Sequence, residues 1–180
     1  MSKDVKNRKG SPFVWHEASA PDHAQAACAL AREIGAGSAI VLGGAVMDAQ
    51  QARPARDLDL YIALAPADRP QAIEQIERQA SAVQVFNSTS LVAHMPGGMK
   101  LDITFTDKPQ TPAQLISAVS VGVCAIAHDL FAARTWVAPD YVADHEAKQI
   151  RLRAHAKPTA QNKAYLQKLQ SKMPEYRCVK

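Results

Sequence analysis

The sequence predicts an α/β (α+β) domain built on a mixed β-sheet that is flanked by helices. Apolar residues make up 47% of the 180 residues and charged residues 21%, a composition typical of a globular protein with a substantial core. Helical and strand-like segments alternate through the first 80 residues, and a meander of three strands follows. The length suits one domain with an appendage rather than two full domains.

The elements of the first half are bounded by capping and breaking residues. In chain order they are a helix from a capping-box-like start at 19–22 to Ile34, a strand over 39–42, a short helix over 45–51, an alternating strand over 57–64 and a helix over 68–80. Gly35 ends the first helix and Pro54 ends the second. Glu74 precedes Arg78 by about one turn and supports the third helix.

The second half is predicted to begin with strands and to end in helices. Strands over 82–86 and 91–95 are followed by the turn 96–98 and a strand over 99–106. Helices are then predicted over 112–119, over 122–133, from a turn near Pro139 toward Lys148, and over 161–172. The resulting organisation is a flexible basic arm at 1–12, a head domain at 13–153 and a basic helical tail at 154–180.

Cysteine usage and hydropathy indicate a cytoplasmic protein. Cys28, Cys124 and Cys178 are scattered, which argues against a disulfide framework or a structural zinc site. No apolar run approaches eighteen residues, so no membrane span is expected, and the polar N-terminus does not resemble a secretory signal. Cys124 is interpreted as a small core residue and His128 as a packed or capping histidine, rather than as catalytic groups.

Basic charge is concentrated at the C-terminus. Residues 151–180 hold eight basic side chains and one acidic one, which gives +7 against −3 for the rest of the chain. This asymmetry makes RNA or another anionic acceptor a plausible partner, with a merely solvated helix face as the alternative. Leu166 and Leu169 are expected to pack on the domain. The candidate nucleic-acid contacts are Lys157, Lys163, Lys168 and Lys172.

Two strands carry carboxylates on one face and apolar side chains on the other. Asp57 and Asp59 are two residues apart, so they point the same way, and Asp102 lies in a second strand of the same polarity. If these strands are neighbours, three like charges converge, and such a cluster needs a cation to stabilise it. Oxygen ligands with open positions suit Mg²⁺, or Mn²⁺ as its substitute. The alternative is that Asp57 and Asp59 are ordinary solvent-facing residues of an edge strand.

A glycine pair precedes the carboxylates on the chain. Gly43 and Gly44 stand between a buried strand and a helix, where free backbone N–H groups can cradle phosphate. Arg53 and Arg56 lie in the loop just before Asp57; they contact the triphosphate or an acceptor phosphate, or they belong to a solvated loop. A phosphate cradle beside a divalent-cation site indicates nucleotide chemistry.

The stretch GGAVMDAQQARPARDLDLYI resembles the signature of the DNA polymerase β-type nucleotidyltransferase superfamily, nearest to the head domain of poly(A) polymerases and CCA-adding tRNA nucleotidyltransferases. KLDITF, VGVCAIAHD and DHEAKQIRL resemble later motifs of that family, so the likeness covers about residues 36–153. Met47 stands where the family has Arg, and Cys124 where it has Asn. The matching positions are Gly43, Gly44, Val46, Asp48, Asp57, Asp59, Leu60, Asp102, Val123, Ala125, Ala127, Asp129, Asp144, Lys148, Ile150 and Arg151.

The resemblance implies a nucleotidyltransferase fold and a metal-dependent transfer of a nucleotide from an NTP to an acceptor hydroxyl, with RNA or tRNA as the expected acceptor. Asp57 and Asp59 are expected to hold the metals that bind the triphosphate, and Asp102 to complete the site of a second metal. Two alternatives remain open from the sequence. One is transfer to a small-molecule or protein hydroxyl, and the other is a non-catalytic RNA- or nucleotide-binding module of the same fold.

Overall fold

A computed structural model describes residues 14–16, 20–21, 23–55 and 57–179. Its helices are α1 (Ala24–Glu33), α2 (Gly44–Gln50), α3 (Arg69–Gln79), α4 (Pro112–Ala118), α5 (Pro139–Glu146) and α6 (Ala160–Lys172). Its strands are β1 (Val14–His16), β2 (Ser38–Leu42), β3 (Asp57–Ala63), β4 (Ala82–Asn87), β5 (Ser90–His94), β6 (Lys100–Thr106), β7 (Ile126–Asp129), β8 (Arg134–Val137), β9 (Gln149–Ile150) and β10 (Arg177–Cys178). None of the described helices is long and apolar enough to cross a bilayer.

An eight-stranded mixed sheet organises these elements, in the order β1-β8-β7-β2-β3-β6-β5-β4. The central strands β3 and β6 run parallel, whereas their other neighbours in the sheet pair antiparallel. The connection from β3 to β6 contains α3 and the β4–β5 hairpin, which supplies the crossover that a parallel pair requires. The predicted fold class, a mixed sheet flanked by helices, is confirmed. A second sheet pairs the short strands β9 and β10 in parallel.

The helix predicted over 122–133 is wrong. A short 3-10 turn, Gly122–Cys124, leads into β7, which is followed by a turn and β8. Every residue from 121 to 128 is buried, because β7 lies between β2 and β8 inside the sheet. A short apolar run with burial on all sides carries no period, so spacing alone does not separate a central strand from a buried helix.

The start of α1 also differs from the predicted capping box. The helix begins after His23, whose backbone is left-handed at φ 64°, and its side chain makes no capping hydrogen bond. Ser19 and Asp22, which were expected to cap this helix, lie outside the described residues, as does the predicted arm at 1–12.

The tail helix packs on the main core. Leu169 and Met173 are buried in the same apolar cluster as the central strands, and Leu166 packs against that cluster. The packing predicted for Leu166 and Leu169 is therefore confirmed. Tyr176, which follows α6, is also buried, and its hydroxyl lies 2.6 Å from Nδ1 of His145 on α5. Lys172 on α6 also pairs with Asp48 on α2, the helix that follows β2, so α6 lies near the end of the sheet where β2 ends.

Candidate active site

Parallel pairing of β3 with β6 brings the three predicted carboxylates onto one wall. Asp59 stands opposite Asp102 in the register, and Asp57 stands opposite Lys100. Leu58 and Leu101 on the other face are fully buried, which fixes the polar side chains toward the opposite side of the sheet. β3 and β6 are therefore neighbours, as the predicted convergence of the three carboxylates required.

The surroundings of Asp59 raise the pKa of its carboxyl. Neighbouring protein atoms displace part of its hydration although the residue still reaches solvent, and the negative charges of Asp102 and then Asp57 raise the pKa further. The ammonium groups of Lys100 and Lys168 act in the opposite direction. Lys168 lies on α6, so the tail contributes positive charge to the carboxylate wall.

Lys100 was not identified from the sequence, although its spacing contained a signal. It precedes Asp102 by two residues on the same strand, and therefore shares its face. Its Nζ donates a hydrogen bond of 2.8 Å to Oδ2 of Asp102. This bond is the largest cause of the raised pKa of Lys100. Lys100 is thus a fourth charged member of the wall.

The carboxylates provide the oxygen chemistry that a hard divalent cation prefers, but their side chains are not gathered around one point. Among the described residues, no three His, Cys, Asp or Glu side chains are arranged to hold one metal ion. The hydrogen bond from Lys100 engages Asp102, while Asp57 and Asp59 are exposed. Carboxylate oxygens are the kind of ligand that Mg²⁺ prefers, and Asp57 and Asp59 are the two carboxylates that are free of the Lys100 hydrogen bond.

The glycine turn joins β2 to α2 at the same end of the sheet. Gly43 adopts φ 70° and ψ −121°, a conformation that favours glycine, and its N–H donates to the carbonyl of Ile126 at 2.8 Å. The amide of Gly43 is therefore already used within the fold. Gly44 is the first helical residue, and a Cβ built there meets no atom within 4 Å, so the surface beside its backbone is open. The phosphate contact expected at this turn stays a prediction.

Asp48 on α2 binds two basic groups, one in the loop before β3 and one on α6. Its Oδ1 accepts from Nε of Arg53 at 3.2 Å, and its Oδ2 pairs with Nζ of Lys172 on α6. Arg53 and Lys172 thus contact protein in this structure, and their predicted contacts with phosphate or RNA stay predictions. Arg56 lies outside the described residues.

The two departures from the family pattern are both buried. Met47 has no solvent exposure, so the position that carries Arg in the family points into the core here. Cys124 is buried with its Sγ 3.4 Å from the hydroxyl of Tyr165 on α6, and burial raises the pKa of its thiol to about 11. A thiol in this state is protonated at neutral pH, which agrees with its interpretation as a core residue.

His128 is likewise a packed group. It lies on β7, where its Nδ1 is 2.8 Å from Oγ1 of Thr135 on β8, and burial lowers the pKa of its imidazole. The other tail lysines, Lys157 and Lys163, are exposed to solvent.

Comparison with solved structures identifies similar folds. A CCA-adding enzyme in complex with ATP matches over 87% of this chain and 38% of its own, at 12% identity and a TM-score of 0.64. A tRNA-processing enzyme in its apo form matches over 92% of this chain and 46% of its own, at 16% identity and a TM-score of 0.59. The Thermotoga maritima CCA-adding enzyme in complex with tRNA matches over 72% and 31%, at 16% identity and a TM-score of 0.56.

The chain spans between about a third and a half of the length of these proteins. Neither a scan of family models nor a search of curated protein sequences produced a match. At identities of 12 to 16% the likeness concerns the fold. The resemblance found in the sequence is confirmed at that level: the chain has the nucleotidyltransferase fold that is also present in CCA-adding enzymes.

Proposed function

We propose that the protein is a metal-dependent nucleotidyltransferase that transfers a nucleoside monophosphate from an NTP to an acceptor hydroxyl on RNA or tRNA. The observation that supports it best is the placement of Asp59 directly opposite Asp102 on adjacent parallel strands, with Asp57 on the same face. The glycine turn after β2 lies at the same end of the sheet, since Leu42 pairs with Asp59. Carboxylates beside an open backbone turn are what an NTP with its cation requires.

The cation would be Mg²⁺, with Mn²⁺ as a substitute; Asp57 and Asp59 would hold it, with Asp102 beside them on β6. When bound, it would polarise the α-phosphate and lower the pKa of the attacking hydroxyl. The chain itself supplies the negative wall that orients the ion, the apolar face that makes this wall rigid, and the Gly44 backbone beside the phosphates. The acceptor hydroxyl would approach beside Asp102.

The reaction is an in-line displacement. The acceptor oxygen forms a bond to the α-phosphorus, the bond from that phosphorus to the bridging β-oxygen breaks, and pyrophosphate leaves with its electron pair. The hydroxyl proton passes to solvent or to a carboxylate of the wall. No covalent enzyme intermediate is needed, which agrees with the buried, protonated state of Cys124.

RNA as the acceptor is supported by charge on α6 and the segment before it. Lys157, Lys163 and Lys168 are exposed, and Lys168 brings positive charge close to Asp59. A polyanion bound along these lysines would place its terminal hydroxyl near the wall. Structures with the same fold include complexes with ATP and with tRNA.

A labelling experiment tests the proposal. The purified chain is incubated with Mg²⁺, total RNA and each α-³²P-labelled NTP in turn. We expect label on RNA from at least one NTP, and none when Asp57 and Asp59 are both changed to Asn. Label on protein or small molecules would replace RNA as the acceptor class. Absence of transfer, with NTP binding retained, would favour a non-catalytic binding module.

A further inference from the structure

Lys100 lies on the carboxylate wall formed by Asp57, Asp59 and Asp102, and its ammonium lowers the net negative charge of that wall. It lies on the same face of β6 as Asp102, and the strand register places it opposite Asp57. The side chains of Lys100 and Asp102 are each 32% exposed, and their charged atoms are 2.8 Å apart. The ammonium therefore lies among the three carboxylates, on the surface where cations would bind.

This hydrogen bond changes how many positive charges the wall can accept. Three carboxylates carry −3, and the ammonium of Lys100 reduces this to −2. One divalent cation then neutralises the wall, whereas two would leave it at +2 before any nucleotide binds. In addition, Oδ2 of Asp102 is occupied by a charge-assisted hydrogen bond and is not available to an ion unless that bond breaks.

We propose that Lys100 is a positioning residue that replaces a second divalent cation in the nucleotide-free protein. It holds Asp102 in place and limits the wall to one ion, bound at Asp57 and Asp59. This inference rests on the proposed function, because it takes these carboxylates to be the metal site. It differs from the expectation of a two-ion site that the sequence resemblance produced, since no feature of the family signature predicted a lysine here.

The test counts Mn²⁺ ions bound to the full chain without NTP or acceptor, from the electron paramagnetic resonance signal of free Mn²⁺. We expect the wild type to bind one ion. Lys100→Met and Lys100→Gln remove the ammonium and should bind Mn²⁺ at least about tenfold more tightly, or bind a second ion, because a repelling charge a few ångströms away is lost. Lys100→Arg, which retains the charge, should resemble the wild type.

Lys108→Met is the matched control, because Lys108 is exposed and follows the opposite end of β6. It removes one positive charge without touching the wall and should leave Mn²⁺ binding unchanged. Circular dichroism establishes that each variant is folded. If Lys100→Met does not fold, Lys100→Gln provides the neutral variant for the comparison.

The inference would be overturned if the wild type bound two Mn²⁺ ions or none. It would also be overturned if both neutral variants bound no second ion and gained less than tenfold in Mn²⁺ affinity. Failure of the proposed function would show separately: the wild type would bind one Mn²⁺ ion but would transfer no label to an acceptor.

Discussion

Asp48 on α2 and Lys172 on α6 form an ion pair between residues that are 124 positions apart in the sequence. The Asp48 side chain is only 4% exposed, and its other oxygen holds Arg53. One buried carboxylate therefore connects the helix after the glycine turn, the loop before Asp57 and the tail helix. The tail is fastened beside the carboxylate wall by this contact as well as by the buried Leu169 and Met173.

Replacing Lys172 with Met should destabilise the protein. Asp48 would lose one of two charged partners while remaining buried, and hydrogen bonds to charged groups contribute about 1.5–3 kcal/mol. Because Lys172 is 42% exposed and Arg53 remains, we expect a loss of about 1.5 kcal/mol, the low end of that range. Urea unfolding measures it. Lys163→Met, on the exposed part of the same helix, is the control; an equal loss in both variants would contradict a specific role for the ion pair.

Asp57→Asn, Asp59→Asn and Asp102→Asn should each abolish nucleotide transfer while the fold persists. Each removes a negative charge from the wall without changing side-chain size, and the buried face behind the wall is unaffected. The measurements are label transfer and circular dichroism. Adding Mg²⁺ and an NTP should raise the melting temperature of the wild type and have less effect on the variants. A wild-type melting temperature that does not respond to Mg²⁺ with any NTP would count heavily against the metal site.

Asp59→Asn should stabilise the metal-free protein at neutral pH. The folded-state pKa of Asp59 lies above its usual 3.8 because of lost hydration and the charges of Asp102 and Asp57, with Lys100 and Lys168 offsetting part of the effect. A raised pKa means that folding favours the protonated form. The stability this provides is complete below the unfolded-state pKa and is lost as pH rises through the folded-state pKa.

The advantage of Asp59→Asn over the wild type should therefore be present at pH 7 and disappear as pH falls below 3.8. Melting temperatures measured in EDTA across this range provide the comparison, with Glu77→Gln as a control for an exposed carboxylate on α3. A stability difference that is independent of pH would show that ionisation of Asp59 is not its cause.

Lys157→Ala with Lys163→Ala should weaken single-stranded RNA binding and reduce its salt dependence. Each lost phosphate contact lowers the log–log slope by roughly 0.7, so two contacts lower it by about 1.4. Both side chains are exposed, whereas Lys172 is committed to Asp48. Fluorescence anisotropy at several salt concentrations measures the slope. Lys108→Ala, outside the tail, should leave it unchanged. Equal slopes for the double variant and the wild type would indicate that these lysines form a solvated surface and do not contact RNA.

The glycine turn and the carboxylate strand could be predicted because their signals are local. Alternation of Asp57 and Asp59 with Leu58 and Leu60 specifies which face is buried, since side chains in a strand alternate regardless of the neighbouring strand. Helical spacing likewise predicted α3 and α6 to within one or two residues. The helix predicted over 122–133 was wrong because residues 122–128 are all buried, which removes the period on which the prediction relied.

The sequence by itself determined the polar face of β3, the polar face of β6 and the glycine turn that precedes them. Only the tertiary structure decided that β3 and β6 are parallel neighbours with Asp59 opposite Asp102, that Lys100 binds Asp102, and that Lys172 reaches Asp48. The physical reason is that alternation and helical spacing act over a few residues. Strand register and ion pairs between distant elements depend on how the whole core packs, and no local pattern encodes the partner.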